Sequence, residues 1–247
     1  MTDPWLVPDW PVPGRVRAAV STRQGPGVSI EPFERLNLGA NCGDEPQAVL
    51  ANRRALRQAL ALPGEPHWLR QVHGIDVAEV AGAAADQPPV ADAAVTRLRG
   101  EPLAILTADC LPVLFCAADG SEIAAAHAGW RGLAGGVLEA TLRHLQTPAG
   151  AVMVWLGPCI GAASYEVGDE VREAFIADDA AATACFAPTR PDHWLCDLAG
   201  LARHRLAHAG VSAIYGGGFD TLADPRFYSY RRDAARSGRF ASLIWLA

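Results

Sequence analysis

The chain has 247 residues, half of them hydrophobic, with 21 basic against 27 acidic side chains and a formal net charge of −6. That length suits one large domain or two small ones with a sizeable core, and the acidic balance argues against a mainly electrostatic nucleic-acid binder, whose footprint is basic. No run approaches the roughly 20 apolar residues of a membrane span, and the proline-rich N-terminal stretch MTDPWLVPDWPVPG does not read as a secretory leader, so a soluble cytoplasmic protein is expected.

In chain order, Val16–Ser21 reads as a strand, and the glycine-rich loop Ser21-Thr22-Arg23-Gln24-Gly25-Pro26-Gly27 leaves it. Such a loop can turn backbone N–H groups toward an anion, with Arg23 beside them. Residues 46–60 predict a helix, with proline in the first turn and an apolar stripe at Val49, Leu56 and Leu60. Residues 68–80 are expected to be extended apart from a turn at His73-Gly74, and residues 81–93 form the most loop-like stretch. No break is long enough to mark a domain boundary, so a single domain is expected. Leu103–Thr107, 112–116 and 122–127 predict three strands, the last two joined by the turn Ala117-Ala118-Asp119-Gly120.

Leu133, Val137, Leu138, Thr141, Leu142 and Leu145 then form one helical stripe that stops before Pro148. Residues 151–156 predict a buried strand ended by Gly157-Pro158, and a helix is expected around 168–177. Asp197 is placed to cap a helix over Leu198–His208, with Gly210 as its stop. Residues 211–215 and 241–246 complete the strands. The pattern is mixed α/β, with too many consecutive strands for simple βαβ winding.

The six cysteines form no CxxC pair and lack the density of a disulfide scaffold. Cys42, Cys116, Cys159 and Cys185 read as small buried hydrophobes. Cys110 differs, because Asp109-Cys110 follows an apolar run and Pro112 comes two residues later. Proline breaks or edges a central strand, so the backbone is expected to bend there and present both side chains to a cavity. The alternative is a buried cysteine in an apolar run.

His127 ends the run Ile123-Ala124-Ala125-Ala126-His127, and Gly129-Trp130-Arg131-Gly132 leads into the next helix. A strand, a glycine turn and a helix start make an anion site, with Arg131 as a bidentate clamp. His73 lies in Gln71-Val72-His73-Gly74, where glycine permits a sharp turn. Two imidazoles and a thiolate, if they converge, form a three-ligand zinc set with one coordination position left for chemistry. Their separations exceed those of zinc fingers, so they would have to arrive from separate strands. Cys110 and His127 could instead form the dyad of a cysteine hydrolase, or the three residues could be a metal staple with no turnover. His144, His204 and His208 read as solvated helical residues. Clustered arginines at Tyr230-Arg231-Arg232-Asp233 and Gly238-Arg239 add positive charge near the C-terminus and favour a small anionic ligand over a polymer.

Together, Ser21-Thr22-Arg23, Leu36-Asn37-Leu38-Gly39, Asn52-Arg53, Gln71-Val72-His73-Gly74, Thr107-Ala108-Asp109-Cys110, Ala126-His127-Ala128-Gly129-Trp130-Arg131-Gly132, Gly157-Pro158, Tyr165-Glu166-Val167-Gly168, Tyr230-Arg231-Arg232-Asp233 and Gly238-Arg239 resemble the YfiH-like family, also called multicopper polyphenol oxidase or laccase-domain proteins. The resemblance implies a four-layer α/β/β/α sandwich with mixed sheets. It also implies a zinc-dependent purine nucleoside phosphorylase that deaminates adenosine and acts on adenosine, inosine, guanosine and S-methyl-5'-thioadenosine. His73, Cys110 and His127 become the metal ligands, for zinc or alternatively copper. Purine nucleosides and phosphate become the partners, with no nucleic acid and no membrane. Arg23, Asn37, Gln71 and Arg131 are the expected phosphate or substrate contacts, and Asp109, then Glu166, the expected proton shuttles. Asp220 departs from a cysteine frequent in the family pattern, and Gln24-Gly25-Pro26-Gly27 from its usual glycine pair. Imidazole is a common copper ligand, yet the chain has seven histidines and no His-x-His pair, which sets a polyphenol oxidase aside as the main activity.

Overall fold

The computed structural model describes residues 4–85 and 87–247. Met1 to Asp3, within the N-terminal stretch considered above, and Asp86, within the predicted loop at 81–93, lie outside the described residues. In chain order the elements are β1 (Trp5–Leu6), β2 (Val16–Ser21), α1 (Pro46–Ala59), β3 (Val77–Val80), β4 (Ala93–Thr96), β5 (Leu103–Thr107), β6 (Leu111–Ala117) and β7 (Ile123–Ala128). There follow α2 (Trp130–Gly135), α3 (Val137–His144), β8 (Val152–Leu156), β9 (Glu166–Gly168), α4 (Asp169–Ile176), β10 (Phe186–Arg190) and β11 (His193–Cys196). The last are α5 (Leu198–His208), β12 (Ala213–Gly216), α6 (Tyr230–Asp233) and β13 (Phe240–Leu246).

A six-stranded sheet runs β12-β8-β6-β7-β4-β3, with parallel pairs at both edges and antiparallel pairs between them. A four-stranded antiparallel sheet runs β1-β2-β13-β5, and a small three-stranded sheet runs β10-β11-β9. Side chains alternate faces along a strand, and here the alternation separates three cores. Val113, Phe115, Val154 and Leu156 face Leu133, Leu138, Phe175 and Leu201 of the helices. Leu114, Cys116, Met153 and Trp155, one residue along on the same strands, face Val20, Ile105, Phe240 and Ile244 of the second sheet. The outer face of that sheet, with Ala19, Leu243 and Trp245, meets Leu56 of α1 and Leu36, Leu38 and Trp68. Helices, sheet, sheet and helix stack as the expected α/β/β/α sandwich.

Several local expectations change. The stripe predicted as one helix from Leu133 is two, because Gly136 adopts φ +96° and ends α2 before α3 begins. Of residues 68–80 only Val77–Val80 is a strand, joined by isolated bridges at His67 and Arg70. β6 starts at Leu111, so Pro112 is its second residue rather than its first; its register partner is His127, and its carbonyl accepts from Gly157 N at 2.8 Å. Cys116, Cys159 and Cys196 are buried, whereas Cys42 and Cys185 are half-buried. Among the described residues no helix is long and apolar enough to cross a membrane.

Candidate metal centre

β5 lies in the four-stranded sheet and β6 in the six-stranded one. The link Ala108-Asp109-Cys110 therefore carries the chain across the sandwich, and Asp109 makes the bend with φ +86°. Cys110 thus stands at the lip between the sheets. His127 is held in β7, and His73 sits in the loop before β3 with φ +62°. Positive φ is uncommon outside glycine and recurs at functional sites; here it occurs at one ligand and beside another.

The three side chains meet. Their ligating atoms all lie within 4.8 Å of one another. Cys110 Sγ is 3.8 Å from His73 Nε2, and the His73 and His127 rings meet edge to face with centroids 4.8 Å apart. Gly129 makes the approach sterically feasible, since a Cβ there would stand 2.8 Å from His73 Cδ2 and 3.0 Å from Cys110 Sγ.

Asp92 organises the cluster. It is fully buried just before β4, and its Oδ1 lies 2.8 Å from His127 Nδ1. The same carboxylate accepts backbone N–H bonds from Val72, His73 and Gly74 at 3.1, 2.9 and 2.7 Å. One carboxylate thus orients the His127 ring and fixes the His73 loop, leaving His127 Nε2 for a ligand. A carboxylate behind a histidine in this way is the usual outer support of a metal site. Burial opposes charge on Asp92, but the bonds from His127, Gly74 and Val72 outweigh it and hold the carboxyl below the usual range.

The electrostatics suit a thiolate. Burial resists ionisation of Cys110, yet His127 and His73 overcome it and bring the thiol down to about 6. Burial likewise disfavours charge on His127, but the Cys110 thiolate and Asp92 raise it to about 9. A soft thiolate with two imidazoles fits a borderline divalent ion such as zinc. The described protein supplies three donors, so the set is open rather than closed.

The cluster opens onto a cavity of about 450 Å³, also lined by Gln71, Asp109, Tyr165, Tyr230, Arg231 and Arg239. Asp109 Oδ1 accepts from Thr221 Oγ1 and Oδ2 from Arg231 N, both at 2.6 Å. Gln71 lines the cavity with its amide engaged by the Leu106 backbone at 2.8 and 2.9 Å. The other expected contacts lie elsewhere. Arg23 pairs with Glu34 at 2.9 Å and covers the Tyr228 ring. Arg131 is exposed on α2 and stacks on Trp130. Asn37 is buried and supports the rim from behind, accepting from Gly39 N and Arg239 N at 2.9 and 2.8 Å. Glu166 pairs with Arg190 at 2.8 Å and lines a neighbouring depression instead.

The cavity's cations are therefore Arg231 and Arg239, which sequence reasoning marked only as positive charge, with Arg70 beside them. Asp92 was missed: it sits in a loop-like run with no periodicity, and its partners come together only through strand pairing. Asp220 accepts from Gly161 N and Leu222 N at 3.0 Å each and from Ser164 Oγ at 2.5 Å, which ties the loop after Pro158 to the C-terminal segment.

Residues 17–247 match the family described as multi-copper polyphenol oxidoreductase laccase. A Xylella fastidiosa protein named purine nucleoside phosphorylase is 54% identical, covering 98% of this chain and 96% of its own. Escherichia coli purine nucleoside phosphorylase YfiH is 50% identical over 98% of each chain. The crystal structure of a Neisseria meningitidis protein superposes with a TM-score of 0.94 at 44% identity, covering 99% of both chains.

Proposed function

We propose that this chain, which belongs to the family described as multi-copper polyphenol oxidoreductase laccase, is a zinc-dependent purine nucleoside phosphorylase that also deaminates adenosine. The observation that carries the proposal is the open His73–Cys110–His127 cluster at a nucleoside-sized cavity. Relatives named purine nucleoside phosphorylase at 54% and 50% identity support it. The substrate range extends to inosine, guanosine and S-methyl-5'-thioadenosine, and the protein works in the cytoplasm. A zinc ion on these three residues supplies Lewis acidity and a water of lowered pKa.

The chain's own residues do the rest. Arg231 and Arg239 hold the phosphate, and Tyr165 and Tyr230 flank the purine. Phosphorolysis passes through an oxocarbenium-like transition state, and a phosphate dianion fixed by arginines stabilises the developing positive charge. Asp109, held by Thr221 and the Arg231 backbone, is the carboxylate in the cavity for moving a proton during deamination. Glu166, turned to Arg190, is the lesser candidate. Arg23 and Asn37 act through the walls and not through contact with substrate.

The test is incubation with inosine and with adenosine, each with and without phosphate, followed by chromatography. Free base and ribose 1-phosphate that form only with phosphate establish phosphorolysis, and inosine from adenosine establishes deamination. No product from either nucleoside overturns the proposal. A second reading has its own support: Cys110 at about 6 beside His127 at about 9, backed by Asp92, is also the ionic pair of a cysteine hydrolase. Chelation separates the two, because a dyad hydrolase keeps its turnover without metal.

A further inference from the structure

Outside that cavity, α5 carries His204 and His208 one helical turn apart, so both imidazoles share a face. Their ring centroids are 4.3 Å apart. Asp179 reaches them from the start of the short 3-10 turn Ala180–Cys185, which follows α4. Its Oδ1 accepts from Ala181 N at 2.9 Å. Its Oδ2 is thereby turned to both rings, 2.5 Å from His204 Nε2 and 3.1 Å from His208 Nδ1. The three ligating atoms lie within 4.8 Å of one another, and none of the three residues is fully buried.

We propose that Asp179, His204 and His208 form a second divalent-metal site, of the two-imidazole, one-carboxylate class that takes zinc, nickel or copper. Two features favour an ion over a plain ion pair. As the rings stand, a single carboxylate oxygen serves two imidazole nitrogens, so each ring must carry a proton on the facing atom. A divalent cation satisfies all three groups together. Acidic groups also outnumber the cation there: Asp178, Glu139 and Arg205 line the same depression, and Glu139 Oε2 is a buried oxygen with no hydrogen-bond partner, while its Oε1 takes Arg205 Nε at 2.7 Å.

Zinc bonds of about 2.0–2.2 Å require Asp179 and His204 to part slightly, a small movement for two half-exposed side chains. The depression shares no lining residue with the nucleoside cavity. Its ion would tie the turn after α4 to α5, and its binding free energy would add to stability.

Equilibrium dialysis against zinc, after chelator treatment, tests the proposal in a Cys110→Ala background that disables the first cluster. That variant is expected to hold about one zinc per chain, and Asp179→Asn or His204→Gln with His208→Gln to abolish it. In the otherwise wild-type protein the double glutamine variant should lower the zinc content from about two to about one with phosphorolysis unchanged. Cobalt bound to the Cys110→Ala protein should also shift the His204 and His208 ring resonances, a readout that needs no change at the site itself. Absence of zinc and of cobalt-shifted rings in the Cys110→Ala protein overturns the proposal. So does an Asp179→Asn variant that retains its zinc, which would reduce the feature to a helical histidine pair.

Discussion

His73, Cys110 and His127 come from a loop, a sheet-to-sheet link and a strand, and what surrounds them is rigid: a buried carboxylate, three backbone N–H bonds and a glycine with no room for a side chain. Asp179, His204 and His208 come from one helix and one turn at the surface, with the Asp179 carboxylate taking one backbone N–H bond, from Ala181. The first group has buried outer support; the second rests on helical spacing of its two histidines and on one turn that brings Asp179 to them. Outer contacts orient the ligands and tune their charge, so the difference predicts a tight, reactive site and a looser, stabilising one.

The strongest test of that contrast is Cys110→Ala. It should remove metal from the strand cluster and bring phosphorolysis to background, as zinc content and nucleoside turnover would report, while the helical group keeps its ion. Loss of both ions together would mean that the groups are coupled. Asp92→Asn should act next most strongly. It leaves every ligand in place but removes the charge behind His127 and weakens the hold on the His73 loop, so metal affinity or activity should drop about 10–100-fold. A competitive chelator titration measures the first and initial rates the second; an unchanged affinity would show that Asp92 is structural only.

The mildest test is the pH dependence of the metal-free protein. The Cys110 thiol is depressed to about 6, so its contribution to stability is present above the ordinary thiol value of roughly 8.5 and is lost as pH falls through about 6. His127 is raised to about 9, so its contribution is full below the ordinary imidazole value of roughly 6.5 and is lost as pH rises through about 9. The ion pair therefore spans the interval between them. Iodoacetamide should alkylate Cys110 at a steady rate down to about pH 6, while Cys116, pushed up by burial to about 12, stays inert. An alkylation rate that tracks an ordinary thiol would break the contrast between a tuned and an untuned group.

Much of this was legible in the chain itself. Apolar runs marked β6, β8 and β13 as strands, and glycine and proline punctuation marked the turns that carry His73, Cys110 and His127. What could not be read is which way a charged side chain turns. Arg23 and Arg131 lie beside glycine turns, as a phosphate cradle would require, yet one folds onto Tyr228 and the other onto Trp130. Arg231 and Arg239 reach the cavity because β13 runs between β2 and β5 and brings the C-terminal segment to the link before Cys110. Asp92 was invisible for a related reason. Its partners at 72–74 and 127 meet it only when β4 pairs with β3 on one side and β7 on the other. His204 and His208 read only as solvated helical residues, and Asp179, 25 residues before His204, was not part of any local pattern.

The crossing at Asp109 has a mechanical corollary. Cys110 hangs from the strap that joins the two slabs, whereas His127 rides with the six-stranded slab and the segment leading to His73 is bonded to the other through Gln71 and Leu106. A shear between the slabs would therefore move the sulfur relative to His127. A centre assembled from both slabs would register a change in their spacing that leaves the helices and most of the packing intact.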